Sequence, residues 1–378
     1  MKLLFDKVCL ERKNKLMTTR ERFVRVLTGR DVDRVPFMKI FGGTNAALEP
    51  WIKEYPGLGT YIDELLGFEG QYRGWQITPV NMRVYGMPPD VIEQISESEY
   101  RILHGTGAVS VHINRDGHKF NHIAEYPVKT ADDWQRIKEL WLNPDEPKRF
   151  PCDWKNYTEM YANRDYPLQL TCHGVYGFAR TMMGDEALCL AIYDEPELVH
   201  DIINTYISMC ISIWKRMVTD VEFDLIECWE DMAYKNGSII SELHFKEFLA
   251  PQYRRIRDFA NDAGIPLLLV DSDGHIMKLA EWMMDAGVNS MYPFEVQSDN
   301  SIVEIRKILP DMGCIGGLDK ECMARGKNAM DEELERARVL IQSGRLVPGP
   351  DHFVLENVSF DNYKYFMQGL KRVILDSL

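Results

Sequence analysis

Short apolar runs that end in polar residues recur along the C-terminal two-thirds of the chain, and each is followed by residues with helical spacing. Pro167-Leu-Gln-Leu-Thr171 leads into Cys172-His173-Gly174 and a helical region through Ala187 to Val218. Phe223-Asp-Leu-Ile226 leads into Glu227-Cys-Trp-Glu230-Asp231, with a helix around His244 to Ala263. Pro266-Leu-Leu-Leu-Val270 leads into Asp271-Ser-Asp273-Gly-His275 and a helix to Ala286. Val288 to Tyr292, Met312 to Ile315 and Arg345 to Val347 repeat the pattern, with helices to Leu309, to Ile341 and after Asn357. Short strands alternating with helices predict a parallel sheet with covering helices. Six such units and at least one earlier predict an α/β fold, a (β/α)8 TIM barrel, as a single domain over 1–378. The stretch from about 70 to 130 alternates instead, as in Gly107-Ala-Val-Ser-Val-His-Ile113, and predicts a strand-rich insertion. Near the start, Thr18 and Glu21 stand at capping-box spacing before a helix to Leu27, with Gly29 as its stop.

In a parallel barrel the C-terminal strand ends share one face, where sites of this fold are built. The polar residues fall at those ends, so they are expected to line a site, though residues that start loops also serve as helix N-caps. Composition narrows what the site can be. The chain has 378 residues, with 44 Lys+Arg against 58 Asp+Glu and a net charge of −14. A surplus of acid excludes wrapping of a nucleic-acid backbone. The eight cysteines form no C-x-x-C pair, and no disulfide framework is evident. The first residues turn charged at Asp6 and again at Glu11, so no signal peptide is expected. No run approaches the length of a membrane span. A reducing cytoplasm is the expected compartment. Walker A, H-E-x-x-H and G-x-S-x-G motifs are missing.

Asp271, Asp273 and His275 follow a fully apolar strand, and alternation puts Asp271 and Asp273 on one side. Glu227, Glu230 and Asp231 follow another, and Asp231 can equally be an N-cap. Asp351 and His352 follow the last strand, either as acid–base or metal-binding groups or as hydrogen-bonded structural residues. His173 is a candidate substrate contact. Tyr176, Phe178, Trp229, Tyr292 and Phe294 stand near strand ends, where rings stack on an aryl group, cage a quaternary amine, or simply fill the core. His104, His112, His118 and His122 are expected to be surface or hairpin residues.

Several of these segments together resemble the uroporphyrinogen decarboxylase superfamily: Thr19-Arg-Glu-Arg-Phe, Asp33-Arg-Val-Pro36, Asp231-Met-Ala-Tyr-Lys, Pro251-Gln-Tyr-Arg-Arg-Ile256, Asp271-Ser-Asp-Gly274 and Gly316-Gly-Leu-Asp-Lys320. The resemblance runs from about 18 to 376. It implies porphyrinogen decarboxylation or corrinoid-linked methyl transfer, and a homodimer. The decarboxylase branch carries an Arg-Gln-Ala-Gly-Arg-Tyr stretch where this chain reads Phe37-Met-Lys-Ile-Phe-Gly-Gly43, with one Lys and no Arg. An octacarboxylate needs cations, whereas the strand ends here are acidic and favour a neutral or cationic substrate. The thiol-methylating branch binds zinc through His-x-Cys and a later Cys; this chain has Asp271-x-Asp273 and Pro350-Asp351-His352 there. The resemblance therefore implies methyl transfer from a small methylated donor, such as an aryl methyl ether (an O-demethylation), to Co(I) on a separate corrinoid-binding protein. Glu230, Asp271, Asp273 and His352 are the expected catalytic groups. Glu227, Asp273, His275, Asp351 and His352 are the expected ligands if zinc or another divalent metal takes part. Uroporphyrinogen decarboxylation is the second expectation, and a non-catalytic ligand-binding barrel the third.

Overall fold

Thr18 opens the first helix, α1 (Thr19–Leu27), through a complete capping box: its hydroxyl accepts the Glu21 N–H, and the Glu21 carboxylate accepts the Thr18 N–H. Phe23, Val26 and Leu27 recur at helical spacing and are buried, and Gly29 beyond the end takes a left-handed φ of 67°. The computed structural model describes residues 17–40, 45–71, 74–82, 89–115 and 118–377. The N-terminal start with Cys9, and the end of the apolar run at 41–43, lie outside the described residues. The chain forms two compact units: one holds 1–76, 163–168 and 290–378, the other 77–162 and 169–289. No described helix is long and apolar enough to cross a membrane.

The second unit begins with the strand-rich insertion. Strands β1 (Val91–Gln94), β2 (Glu99–Leu103), β3 (Val109–Arg115) and β4 (His118–Glu125) form an antiparallel sheet in that order. Strand β5 (Leu168–Cys172) then pairs in parallel with β6 (Leu225–Trp229), and β6 with β9 (Leu267–Asp271). Between β5 and β6 run α2 (Tyr176–Met183), α3 (Asp185–Asp194) and α4 (Pro196–Asp220). The sequence pattern predicts a single helical region there; Gly184 at φ 82° and Pro196 at the first turn of α4 divide it. A two-residue hairpin, β7 (Ala233–Tyr234) and β8 (Gly237–Ser238), follows β6, and α5 (Ala250–Asp262) and α6 (Met277–Asp285) flank β9. A π-turn, Phe245–Leu249, leads into α5. Leu267 to Val270 are all fully buried, as a strand covered on both faces requires. Each such side chain contributes roughly 1.5–3 kcal/mol.

The first unit carries β10 (Ser290–Tyr292), β11 (Gly313–Leu318) and β12 (Leu346–Pro350), again parallel, with Cys314 opposite Leu346 and Gly317 opposite Gly349. Helices α7 (Ile302–Ile308), α8 (Lys327–Gln342) and α9 (Phe360–Asp376) accompany them. Two strands run further than their apolar cores predict. β6 continues through Glu227, Cys228 and Trp229 because each pairs with Leu269, Val270 or Asp271 of β9. β11 takes in Gly316 and Gly317, beyond the apolar run that ends at Ile315, because they pair with Pro348 and Gly349.

Candidate functional site

The site in the second unit is built where β5 and β6 end. Gly174 (φ 80°) and Gly177 let the start of α2 lie against β6: a Cβ would stand 2.1 Å and 2.3 Å from the Trp229 carbonyl oxygen, respectively. No side chain fits in that space. The close approach brings the carboxylate of Glu230, which is fully buried, onto the backbone N–H groups of Val175 at 2.6 Å and Gly177 at 2.8 Å. The Tyr253 hydroxyl donates to the same carboxylate. Burial pushes the Glu230 carboxyl up to about 7, against the pull of these three donors. His173 is fixed beside it: its N–H donates to the Tyr206 hydroxyl at 2.9 Å, its Nε2 lies 3.2 Å from Thr181 Oγ1, and its ring lies 4.7 Å from that of Trp229.

A cavity of about 640 Å³ opens here. Its walls include the rings of Phe178, Tyr206, Trp229 and Tyr126, with Phe178 and Tyr206 stacked at 3.7 Å. Arg180 lies in the wall, its guanidinium 4.8 Å from the centre of the Trp229 ring. It donates to the Asp231 carbonyl oxygen at 2.8 Å, and its Nη2 is 3.7 Å from the Asp231 carboxylate. Asp231 has a left-handed φ of 44°, a conformation that non-glycine residues hold only where the surroundings enforce it. Burial and then the charge of Asp273 raise its carboxyl above the ordinary range, with Arg180 opposing. The insertion closes part of the wall through Asp90, His104 and Ile123. His104 Nδ1 is 2.8 Å from Asp90, and its Nε2 is 2.9 Å from Ser110 Oγ.

Of the expected substrate contacts, His173, Phe178 and Trp229 line the cavity. Tyr176 is buried and donates from its hydroxyl to Asp185 at 3.1 Å. Tyr292, in the first unit, packs edge-on to Trp75 at 5.6 Å. Asp271 and Asp273 come together as alternation requires: one oxygen of each, and one of Asp231, lie within 4.8 Å of one another. Asp231 is not an N-cap, because a hairpin strand rather than a helix follows it. Glu227 sits within β6 and accepts from Gln169 Nε2, and the His275 N–H donates to the Tyr234 carbonyl at 2.9 Å. In the first unit Asp351 is wholly buried and accepts the N–H groups of Val296 (2.7 Å) and Lys320 (3.1 Å). His352 lies there too, with a ligand atom within 4.8 Å of one from Glu295.

Much of the acid that the sequence gathers at strand ends thus has partners of its own. Glu230 and Asp351 hold backbone N–H groups, Glu227 holds Gln169, and Asp319 pairs with Arg325. For a divalent ion, Asp231, Asp271 and Asp273 form an all-oxygen donor set that suits a hard cation better than thiolate-bound zinc. Among the described residues, Glu227, His275 and Asp351 belong to no such group. Sequence reasoning missed Arg180 and the wall supplied by Asp90, His104 and Tyr126. Arg180 stands 51 positions from its partner Asp231, within a helix whose basic residue signals only a last turn.

A family model described as uroporphyrinogen decarboxylase (URO-D) matches residues 102–373. Among solved structures, a methyltransferase from Methanosarcina mazei aligns with a TM-score of 0.58 at 15% identity, covering 95% of this chain and 99% of that one. At that identity the likeness shows the fold, which is the α/β, TIM-barrel-like fold expected from the alternating strands and helices. Two others align more loosely and carry no argument. A Listeria monocytogenes protein, described as a proposed vitamin-B12 independent methionine synthase, has a TM-score of 0.33, 10% identity and coverage of 58% and 69%. The IOLI protein with a bound zinc atom has a TM-score of 0.23, 12% identity and coverage of 59% and 80%. No curated protein sequence matches the chain.

Proposed function

Since this chain belongs to the uroporphyrinogen decarboxylase (URO-D) family of enzymes, we propose that it is a methyltransferase of that family, taking a methyl group from a small aryl methyl ether and delivering it to Co(I) on a separate corrinoid-binding protein. The observation that carries the reading is the ring-walled cavity beside the Asp231, Asp271 and Asp273 carboxylates. Phe178, Tyr126 and Trp229 offer an aromatic ring apolar surface and stacking partners. The full-length likeness to a protein named as a methyltransferase supports the same choice.

In the proposed reaction the O–CH3 bond breaks as the bond from cobalt to carbon forms, and the electron pair stays on oxygen. This chain must align the ether and then neutralise the phenolate oxygen. Asp231 is the group we assign to that oxygen: it lines the cavity, is half-buried, and is fixed at its carbonyl by Arg180. Asp273 is held near it and favours the protonated acid by its charge. A hard divalent cation held by Asp231, Asp271 and Asp273 would supply Lewis-acid assistance at the same place. Glu230 is assigned as a positioning residue, since it reaches the cavity only through the start of α2.

Two alternatives fit less well. A quaternary amine would need the Trp229 face, where Arg180 already lies and repels cations. An octacarboxylate would need many cations, and among the described residues lining the cavity Arg180 is the one arginine and lysine does not occur. The reading is tested with free cob(I)alamin as acceptor and methoxybenzenes as donors, measuring the phenol released. Release that falls by roughly 100-fold or more in Asp231→Asn, as loss of general acid assistance predicts, supports it. An unchanged rate in that variant removes Asp231 from the chemistry.

A further inference from the structure

Three thiols that methyl transfer leaves unused meet behind the cavity wall. Cys172 ends β5, and the parallel register sets it directly opposite Cys228 of β6. Cys210 reaches the same point from α4, and the Cys172 sulfur lies within hydrogen-bonding reach of both other thiols. All three are buried. Each stands close in sequence to a lining residue: Cys172 precedes His173, Cys228 precedes Trp229, and Cys210 lies one helical turn after Tyr206. Cys172 also accepts the N–H of Gly174, in the turn that seats α2 against the Trp229 carbonyl. Buried thiols are ordinarily inert, and burial is the largest single influence on Cys172, opposing its ionisation. Hydrogen bonds from Cys210, Cys228 and Gly174 together outweigh it and draw the Cys172 thiol below its ordinary pKa. The thiolate is the form that reacts with an oxidant.

We propose that Cys172 and Cys228 join in a reversible disulfide when the protein meets a hydroperoxide, and that this bridge distorts the cavity wall as a redox switch. Opposed positions on adjacent strands stand about 4.8 Å apart, inside the Cα window of roughly 4.4–6.8 Å that a disulfide spans. The Cys172 sulfur attacks the O–O bond of hydrogen peroxide, giving a sulfenic acid and one water; the Cys228 sulfur then displaces the hydroxyl as a second water. Two thiols lose two protons and two electrons, and the peroxide is reduced to two waters. The bridge draws the ends of β5 and β6 together and takes away the thiolate that the Gly174 N–H meets. Gly174 and Gly177 already lie against the Trp229 carbonyl with no room to spare, so the start of α2 must move. A bridge made only under oxidation is the sensing kind in proteins that otherwise keep their thiols reduced. The switch does not depend on which substrate the cavity takes.

The full chain is treated with hydrogen peroxide, the remaining thiols are alkylated, and linked peptides are mapped by mass spectrometry. Hydrogen–deuterium exchange is followed in parallel. Peroxide should produce a peptide pair linking Cys172 to Cys228 and speed exchange across residues 173–183 by roughly 10-fold, as a loosened element does. Dithiothreitol should reverse both changes. Cys228→Ser should give no linked pair and no response of exchange to peroxide; Cys228→Ala carries the test if the serine variant does not fold. Cys210→Ser removes one hydrogen bond from the attacking sulfur and should slow bridge formation by roughly 2- to 10-fold without changing which cysteines join. No linked pair, a bridge from Cys172 to Cys210, or a bridge from Cys172 to Cys228 that leaves exchange unchanged would overturn the proposal.

Discussion

Glu230 shows how a residue that sequence marks as chemical can work by holding backbone. Its carboxylate takes two N–H groups at the first turn of α2 and the Tyr253 hydroxyl, all inside the protein. The charge near a helix N-terminus is favourable, but burial dominates and raises the carboxyl from 4.5 to about 7. Between those values the folded state binds more protons than the unfolded chain. Stability from this group is therefore highest below pH 4.5 and declines as pH rises toward 7, by roughly 3 kcal/mol at most. Chemical denaturation at pH 5 and pH 7 checks this: Glu230→Gln should be less stable than wild type at pH 5, with a smaller loss on going to pH 7. Identical pH slopes in the two proteins would rule the assignment out. Asp231 differs in every respect, being half-exposed, at the cavity wall and in a left-handed backbone conformation. The two are neighbours in sequence with opposite roles, a distinction that burial makes and residue type does not.

At the scale of elements, the crossing of α2 over the end of β6 decides where the site lies. Two glycines permit it, and the Glu230 carboxylate ties it down. Gly177→Ala forces a methyl group into the Trp229 carbonyl, so it should destabilise the protein by roughly 1–3 kcal/mol and weaken ligand binding, as urea melts and a methoxybenzene titration would show. A fully stable, fully binding variant would mean that α2 shifts without consequence. The elements themselves were largely legible in the sequence. The Thr18–Glu21 box, the apolar strand at Leu267–Asp271 and the alternating insertion each announce themselves through local periodicity or capping. Strand ends were less legible, because the pairing of Glu227 to Trp229 depends on β9, some 40 residues away in the sequence. Cavity walls were least legible. His104 reads as a hairpin residue and is one, yet Asp90 and Ser110 orient its ring at the cavity that α2 and β6 create.

For the whole molecule, the net charge of −14 argues against wrapping a nucleic-acid backbone but does not describe the site. Carboxylates at the strand ends read in sequence as one acidic mouth, and the structure divides them. Asp351, Glu230 and Asp319 tie down backbone or pair with cations, whereas Asp231, Asp271 and Asp273 stand together. Beside Asp231 the cavity carries the Arg180 guanidinium, which no strand-end pattern reveals. Family membership leaves decarboxylation and methyl transfer both on the table, and the ring-walled, sparsely cationic cavity favours the second. Methyl transfer is tested most directly by following the methyl group itself. The chain is incubated with a trideuteromethyl aryl ether and a Co(I) corrinoid protein, and in parallel with uroporphyrinogen. The deuterated methyl group should move to the cobalt, and no carbon dioxide should leave the porphyrinogen. Carbon dioxide release with the label still on the ether would contradict methyl transfer.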